Sequence, residues 1–172
     1  RSDTGVSDIL CSASLTPTMP ANYDQKRRIG SLLRASSTNR PFTQINDQFL
    51  YVTPIASYNT TPVAASTAIT MDIPNGVVFE ALFRAALNTA SGASNAVVFF
   101  NPNETNAAPA DGATPGIELR APSITATVAT AAGRYRVFTS SSRVINYRAT
   151  TASGNLLVAT MGWIDTRGKI AP

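Results

Sequence analysis

Apolar residues in this chain come in short runs rich in Val, Ile, Phe, Tyr and Thr, each stopped by Pro, Gly, Asn or Ser. That punctuation constrains the fold most. A strand needs only a few alternating residues, whereas an amphipathic helix needs roughly ten or more to build its stripe. Residues 5–14 read as a first strand. Pro17 and Pro20 then interrupt regular pairing. Residues 26–34 read as a strand with Gly30 as a bulge or close backbone approach. Residues 40–47 return and 48–55 follow, so the three form a meander. Further strands are expected at 66–74, with Ile69, Met71 and Ile73 on one face, at 95–101, and at 117–130, broken by Pro122. The last three lie at 133–140, 142–150 and 155–165.

One segment, 77–90, supports two periods. At helical spacing Phe79, Leu82, Phe83, Ala86 and Leu87 form a stripe. At strand spacing Val77, Phe79, Ala81, Phe83, Ala85 and Leu87 share a face, leaving Glu80 and Arg84 with Val78 and Leu82 on the other. The preceding Pro-Asn-Gly is a hairpin signal with no capping box, so the segment is expected to be a strand. Short links imply antiparallel pairing. An all-β chain of this kind closes as a sandwich, jelly roll or barrel. The expectation is one domain over 1–172, an antiparallel β-sandwich or jelly-roll-like fold with little or no helix.

At 172 residues, a single domain buries about 70% of its unfolded surface and needs no disulfide or metal to fold. No apolar run approaches the ~18 residues of a membrane span, so no membrane insertion is expected. Only 14% of residues are charged, against about 25% in an average protein. The basic residues are nearly all Arg, scattered except at Arg27–Arg28 and Arg134/Arg136. No basic stripe follows a phosphate backbone, and nucleic acid is not an expected partner. The surface must be wetted by hydroxyls and amides, which suits a particle or extracellular structural protein.

The chain contains no histidine, which removes Ser-His-Asp and Cys-His catalysis and His-ligated zinc. The single cysteine, Cys11, permits no internal disulfide or multi-Cys site and reads as a buried small hydrophobe. There is no Walker loop and no dinucleotide fingerprint. The glutamates are Glu80, Glu104 and Glu118, and Asp3, Asp24, Asp47 and Asp111 stand beside turn-forming residues. No metal, cofactor or catalytic residue is expected, and the chain is not read as an enzyme.

The segment "LTPTMPANYDQKRRIGSLLRASSTNRPFTQINDQFLYVTP" (15–54) resembles a segment recurrent in bacteriophage and prophage tail proteins. Its pattern is a "T-P-T-x-P-x-x-Y" lead, "R-R-I-G-S", a polar turn, "P-F-x-Q-x-x-D-x-F" and an aromatic strand ending in "T-P". The matching residues are Pro17, Pro20, Tyr23, Arg27, Arg28, Ile29, Gly30, Ser31, Pro41, Phe42, Gln44, Asp47, Phe49, Thr53 and Pro54. The closing "ATMGWIDTRGK" (159–169) is similar to the terminal strand of these proteins. The resemblance, with an opening that lacks Met, implies the C-terminal piece of a longer tail fibre or tailspike. It implies a homotrimer among other virion tail proteins, located in the virion and in the host cytoplasm during assembly.

Three functions then compete: attachment to a host-surface saccharide or protein, a purely structural virion role, and polysaccharide degradation. The last is disfavoured by the missing histidine and carboxylate pair. Binding residues are expected on loops. These are Tyr58 and Asn59 in a loop at 56–64, and Asn101, Asn103, Glu104, Asn106 and Asp111 in the long loop 101–116. Trp163 could stack on sugars or fill a core. Arg27–Arg28 could bind an anionic polysaccharide, or leave one Arg exposed and pair the other with Asp24 or Asp47. Ile29 and Phe42 are expected to face each other in the core, so Ile29→Ala should cost about 2–5 kcal/mol in chemical denaturation.

Overall fold

The computed structural model describes residues 5, 8–12, 14, 16–23, 28–35, 37–90, 93–104, 117–122 and 129–166. All regular structure among them is strand: β1 (Arg34–Ala35), β2 (Thr38–Asn39), β3 (Phe42–Ile45), β4 (Gln48–Thr60), β5 (Thr67–Thr70), β6 (Glu80–Thr89), β7 (Asn95–Phe100), β8 (Ile117–Ala121), β9 (Ala129–Phe138), β10 (Val144–Ala149) and β11 (Asn155–Ile164). The protein is all-β, and every pairing is antiparallel. The 77–90 segment is a strand over Glu80–Thr89, with strict alternation of buried and solvent-facing residues.

Five strands form one sheet in the order β3-β4-β11-β6-β9, and four form another in the order β5-β10-β7-β8. Their inner faces share one apolar core. Phe83 and Tyr135 of the five-stranded sheet meet Phe99 of the four-stranded sheet at centroid distances of 5.1 and 5.3 Å. Tyr58 meets Tyr147 across the same interior at 5.4 Å. Offset and edge-to-face rings of this kind add roughly 0.5–1.5 kcal/mol each beyond their area burial.

Sequence neighbours are mostly not sheet neighbours. Apart from the two-residue pair β1–β2, only β3–β4 and β7–β8 are consecutive and paired. The links after β4, β5, β6, β8, β9 and β10 each carry the chain to the opposite sheet. The expected meander of three strands therefore reduces to β3 and β4. Pro-Asn-Gly at 74–76 is no hairpin turn either, because β5 and β6 lie in different sheets. Short links allow a crossing between layers as readily as a hairpin, and local sequence does not distinguish the two.

β11 lies at the centre of the five-stranded sheet, and its register decides the core. Thr160 stands opposite Phe83 and Gly162 opposite Leu82, so Met161 is one residue in excess over β6. This bulge resets the alternation: Thr160 and Trp163, three apart, both turn inward and are fully buried. Trp163 stacks on Phe49 at 5.0 Å and is ringed by Phe42, Tyr51 and Phe79. Gly162 makes the bulge possible. Its φ is +154°, and a Cβ there would collide with the Phe49 carbonyl of β4. β4 has its own excess residue, Ser57, between Ala56 and Tyr58, and it departs again from the register between Leu50 and Ile55, where Pro54 cannot donate to a ladder.

The N-terminal part differs from the sequence reading. Among the described residues of 5–14 and 26–33 there is no strand; pairing begins at Arg34. Ile29 is 62% exposed, and Leu33 is the residue of that segment that enters the core. Phe42 does pack on that core, against Phe49 and Trp163. A Cβ on Gly30 would make only ordinary contact with Phe49, so Gly30 marks neither a bulge nor a tight approach. Cys11 is exposed rather than buried. Extended segments held by few ladder bonds need not alternate, so apolar residues there do not identify an inner face.

Chemical denaturation should therefore separate three variants. Ile29→Ala costs less than about 0.5 kcal/mol, as for exposed positions. Trp163→Ala costs about 3–5 kcal/mol, and Gly162→Ala roughly 3 kcal/mol, the upper range for overpacking.

Candidate functional site

The residues read as candidates from sequence do not converge. Tyr58 and Asn59 lie within β4, not in a loop, because β11 extends far enough to pair with them. Tyr58 points inward, and its hydroxyl lies 2.6 Å from that of Tyr147. Asn101 donates its amide to the Phe138 carbonyl at 2.9 Å and accepts from the Asn103 N–H at 2.8 Å. Glu104 closes the same turn by accepting from the Asn101 N–H. Asn106 and Asp111 lie outside the described residues. Asn101 sits at the Phe138 end of β9, whereas Asn59 lies near the Thr130 end. Eight strand residues separate these ends, roughly 26 Å at ~3.3 Å each.

Trp163 is core, with no face open to a sugar. Its indole N–H has no acceptor among the described residues. Arg28 is also committed. Its guanidinium makes a bidentate pair with the Asp165 carboxylate, both bonds at 2.6 Å, and a further bond to Ser31 at 2.9 Å. It lies 5.7 Å from the Phe79 ring centroid. The Asp165 side chain is fully buried. Arg28 thus finds its carboxylate in Asp165, while Asp24 and Arg27 lie outside the described residues. The clasp joins the N-terminal segment to the end of β11. Arg28→Ala removes the bidentate partner of a buried carboxylate and should cost about 3 kcal/mol.

A hydroxyl–carboxylate cluster surrounds the β4 bulge. Ser57 donates to Asp72 Oδ2 at 2.7 Å, and Thr160 Oγ1 lies 2.6 Å from Ser57 Oγ while accepting the Asp72 N–H at 3.2 Å. Ser57 gives its proton to Asp72, so Thr160 must donate to Ser57. Every hydroxyl proton here is assigned, and no imidazole exists in the chain to activate Ser57. The cluster ties β4 and β11 to the segment after β5. Tyr51 adds a bond from its hydroxyl to the Asp72 carbonyl at 2.7 Å.

What the fold does assemble is the outer face of the five-stranded sheet. Cross-strand registers place Asn155 opposite Asn88, and Asn88 opposite Thr130. Asn155 donates to Asn59 Oδ1 at 2.8 Å, and Thr130 donates to Asn88 Oδ1 at 2.9 Å. Asn155, Asn88 and Thr130 thus form one row across β11, β6 and β9, and Asn59 of β4, itself directly opposite Leu157, joins it on the diagonal. The row orients itself and leaves the Asn59 and Asn88 amide hydrogens and the Asn155 carbonyl oxygen without partners among the described residues. Next along the strands come Leu157, Ala86 and Ala132, a low apolar strip. Asn95 makes a useful contrast. It is buried and fully used, donating to the Thr151 and Ser153 carbonyls and accepting from Thr150 and the Thr151 N–H.

Of this row, sequence reasoning selected only Asn59. The row's two side-chain bonds join residues 42 and 96 positions apart in the chain. Their one local signal is alternation, which puts Asn88 and Thr130 on the polar side of their strands. In comparisons with known proteins, the chain matches no protein-family model and no curated protein.

Three phenols in the interior are held neutral. Burial pushes Tyr51 up, with Asp72 adding to it against Arg40 and Arg143. Burial and the Tyr147 hydrogen bond push Tyr58 up, and burial raises Tyr135. The unfolded chain releases these protons near pH 10 while the folded chain keeps them. Above that pH the unfolded state binds fewer protons, so stability falls. The urea midpoint should be flat with respect to these groups below about pH 9 and drop between pH 10 and 12. Tyr51→Phe should make that drop shallower.

Proposed function

We propose that this chain is an attachment domain of a bacteriophage tail appendage, a fibre or tailspike component that holds a host-surface saccharide without degrading it. The observation that carries this reading is the outer face of the five-stranded sheet. A row of side-chain amides lies open there with unused donors and an acceptor, beside a shallow apolar strip. Sugar hydroxyls need both partner types, and the apolar strip suits the C–H faces of the rings. The sequence resemblance over 15–54 supplies the tail-appendage context. The hydroxyl-rich, charge-poor composition agrees with an exterior particle protein.

Assembly into a homotrimer with other tail proteins belongs to the same reading. Its support is an apolar rim beside the edge strand β3. Ile29, Leu32, Ile45 and Val52 are all more than half exposed. A monomer gains nothing from presenting large apolar side chains beside an open sheet edge, and a neighbouring subunit would cover both. The same rim would serve a purely structural virion role, so binding has to be measured directly. The labelled chain should bind intact host bacteria and compete with phage adsorption. Asn88→Ala with Asn155→Ala should weaken that binding at least fivefold while leaving the unfolding midpoint within about 1 kcal/mol, as for exposed sites. Wild-type protein that neither binds cells nor competes sinks the attachment reading and leaves the structural one.

A further inference from the structure

On the outer face of the five-stranded sheet, Arg84 of β6 stands directly opposite Arg134 of β9. Both are exposed. Directly opposed residues in an antiparallel pair have Cβ atoms about 4.5–5.5 Å apart, and like charges there destabilise the sheet. The next pair along is different. Arg136 gives a bidentate pair to Glu80, at 2.8 and 2.6 Å, and is thereby neutralised. Arg84 and Arg134 have no carboxylate or carbonyl partner among the described residues. Their surroundings do not supply one: Ala159 flanks Arg84 across β11, and Ala86 and Ala132 form the next cross-strand pair. Two unneutralised guanidinium groups thus rise side by side from a floor of methyl groups. In a chain with so few charges, this is an electrostatic cost retained on the β6–β9 side of the open face.

The geometry points to an oxyanion site, and we propose that Arg84 and Arg134 together hold the carboxylate or phosphate group of an acidic saccharide. This inference rests on the attachment reading above and narrows its ligand to an anionic glycan. Guanidinium groups bind either oxyanion through paired N–H donors, and two of them on one face of a sheet accept a group carried on an extended chain. The amide row lies four residues along the strands, about 13 Å away at ~3.3 Å per residue. A glycan of several sugars can therefore reach both. The bound anion removes the Arg–Arg repulsion, so binding and sheet stability are coupled.

The test uses the intact chain in affinity electrophoresis and calorimetry, with polygalacturonate as carboxylate probe, glycerol-phosphate teichoic acid as phosphate probe and dextran as neutral control. The expected result is retention by one or both acidic polymers, not by dextran, with binding falling at least tenfold in Arg84→Ala/Arg134→Ala. Whichever polymer is retained names the oxyanion. Arg136→Ala, whose partner is Glu80, should change binding less than twofold. Without ligand, the double variant should gain about 1–3 °C in Tm as the repulsion is relieved. Equal retention by dextran, no retention by either acidic polymer, or unchanged binding in the double variant overturns the oxyanion site. A loss of Tm would assign the two arginines a structural role and overturn it as well. Host-cell binding that survives in the double variant leaves the attachment reading standing while this site falls. Wild-type protein that retains an acidic polymer but does not bind cells does the opposite: the oxyanion site stands and the attachment reading falls.

Discussion

Trp163 is inside this protein because β11 carries one residue too many. Strict alternation from Thr160 would turn Trp163 to solvent; the excess residue Met161 turns it inward instead. The bulge needs Gly162, since any Cβ there meets the β4 backbone. Around the buried indole gather Phe42 and Phe49 from β3 and β4, Tyr51 from β4 and Phe79 from the entry to β6. Asp165, two residues beyond, is fixed by the same geometry and receives Arg28, which draws the N-terminal segment onto the sandwich. One backbone irregularity in the central strand thus sets the face of a sheet, the aromatic core and the docking of the segment that precedes β1.

The second irregularity, at Ser57, works similarly on the neighbouring strand. Ile55 and Tyr58 both turn toward the interior although three residues apart, and Ser57 fills the break with bonds to Asp72 and Thr160. Beyond the bulge, alternation resumes with Asn59 outward, opposite Leu157 and within reach of Asn155 on the diagonal. The candidate face therefore depends on both bulges. Losing one of them alone would turn the amides of β4 and β11 to opposite sides of the sheet. Because the face is built on paired strands and not on loops, its polar atoms are held in place by the ladder and need little ordering when a ligand arrives.

Much of the fold is legible in the residues. The alternation of Ala81, Phe83, Ala85 and Leu87 against Glu80, Leu82 and Arg84 identifies β6 as a strand with an inner face, despite its alanine content. The apolar run at 95–100 and the alternation at 144–149 mark β7 and β10 equally well. The N-terminal segment is where local reading fails. Ile29 looks like a core residue but is exposed, and Leu33 is buried, because without a continuous ladder nothing enforces alternation. The site was legible at one residue, Asn59, for a reason that did not hold, since it lies in a strand. Asn101 looks like a ligand-binding amide, but its side chain is used, donating to Phe138 of β9 and accepting from the Asn103 backbone N–H.

The sequence by itself determined the all-β class, the positions of most strands, the absence of imidazole chemistry and a surface wetted by amides and hydroxyls. Side-chain type and two-residue periodicity are local properties, and local properties can be read along a linear chain. Only the tertiary structure decided that most consecutive strands belong to opposite sheets, that Arg28 meets Asp165 and that Asn59, Asn155, Asn88 and Thr130 share one face. It also decided that Arg84 faces Arg134. Those outcomes depend on register between strands far apart in the chain. Register is set by bulges and by the packing of Trp163, through contacts that no stretch of local sequence contains.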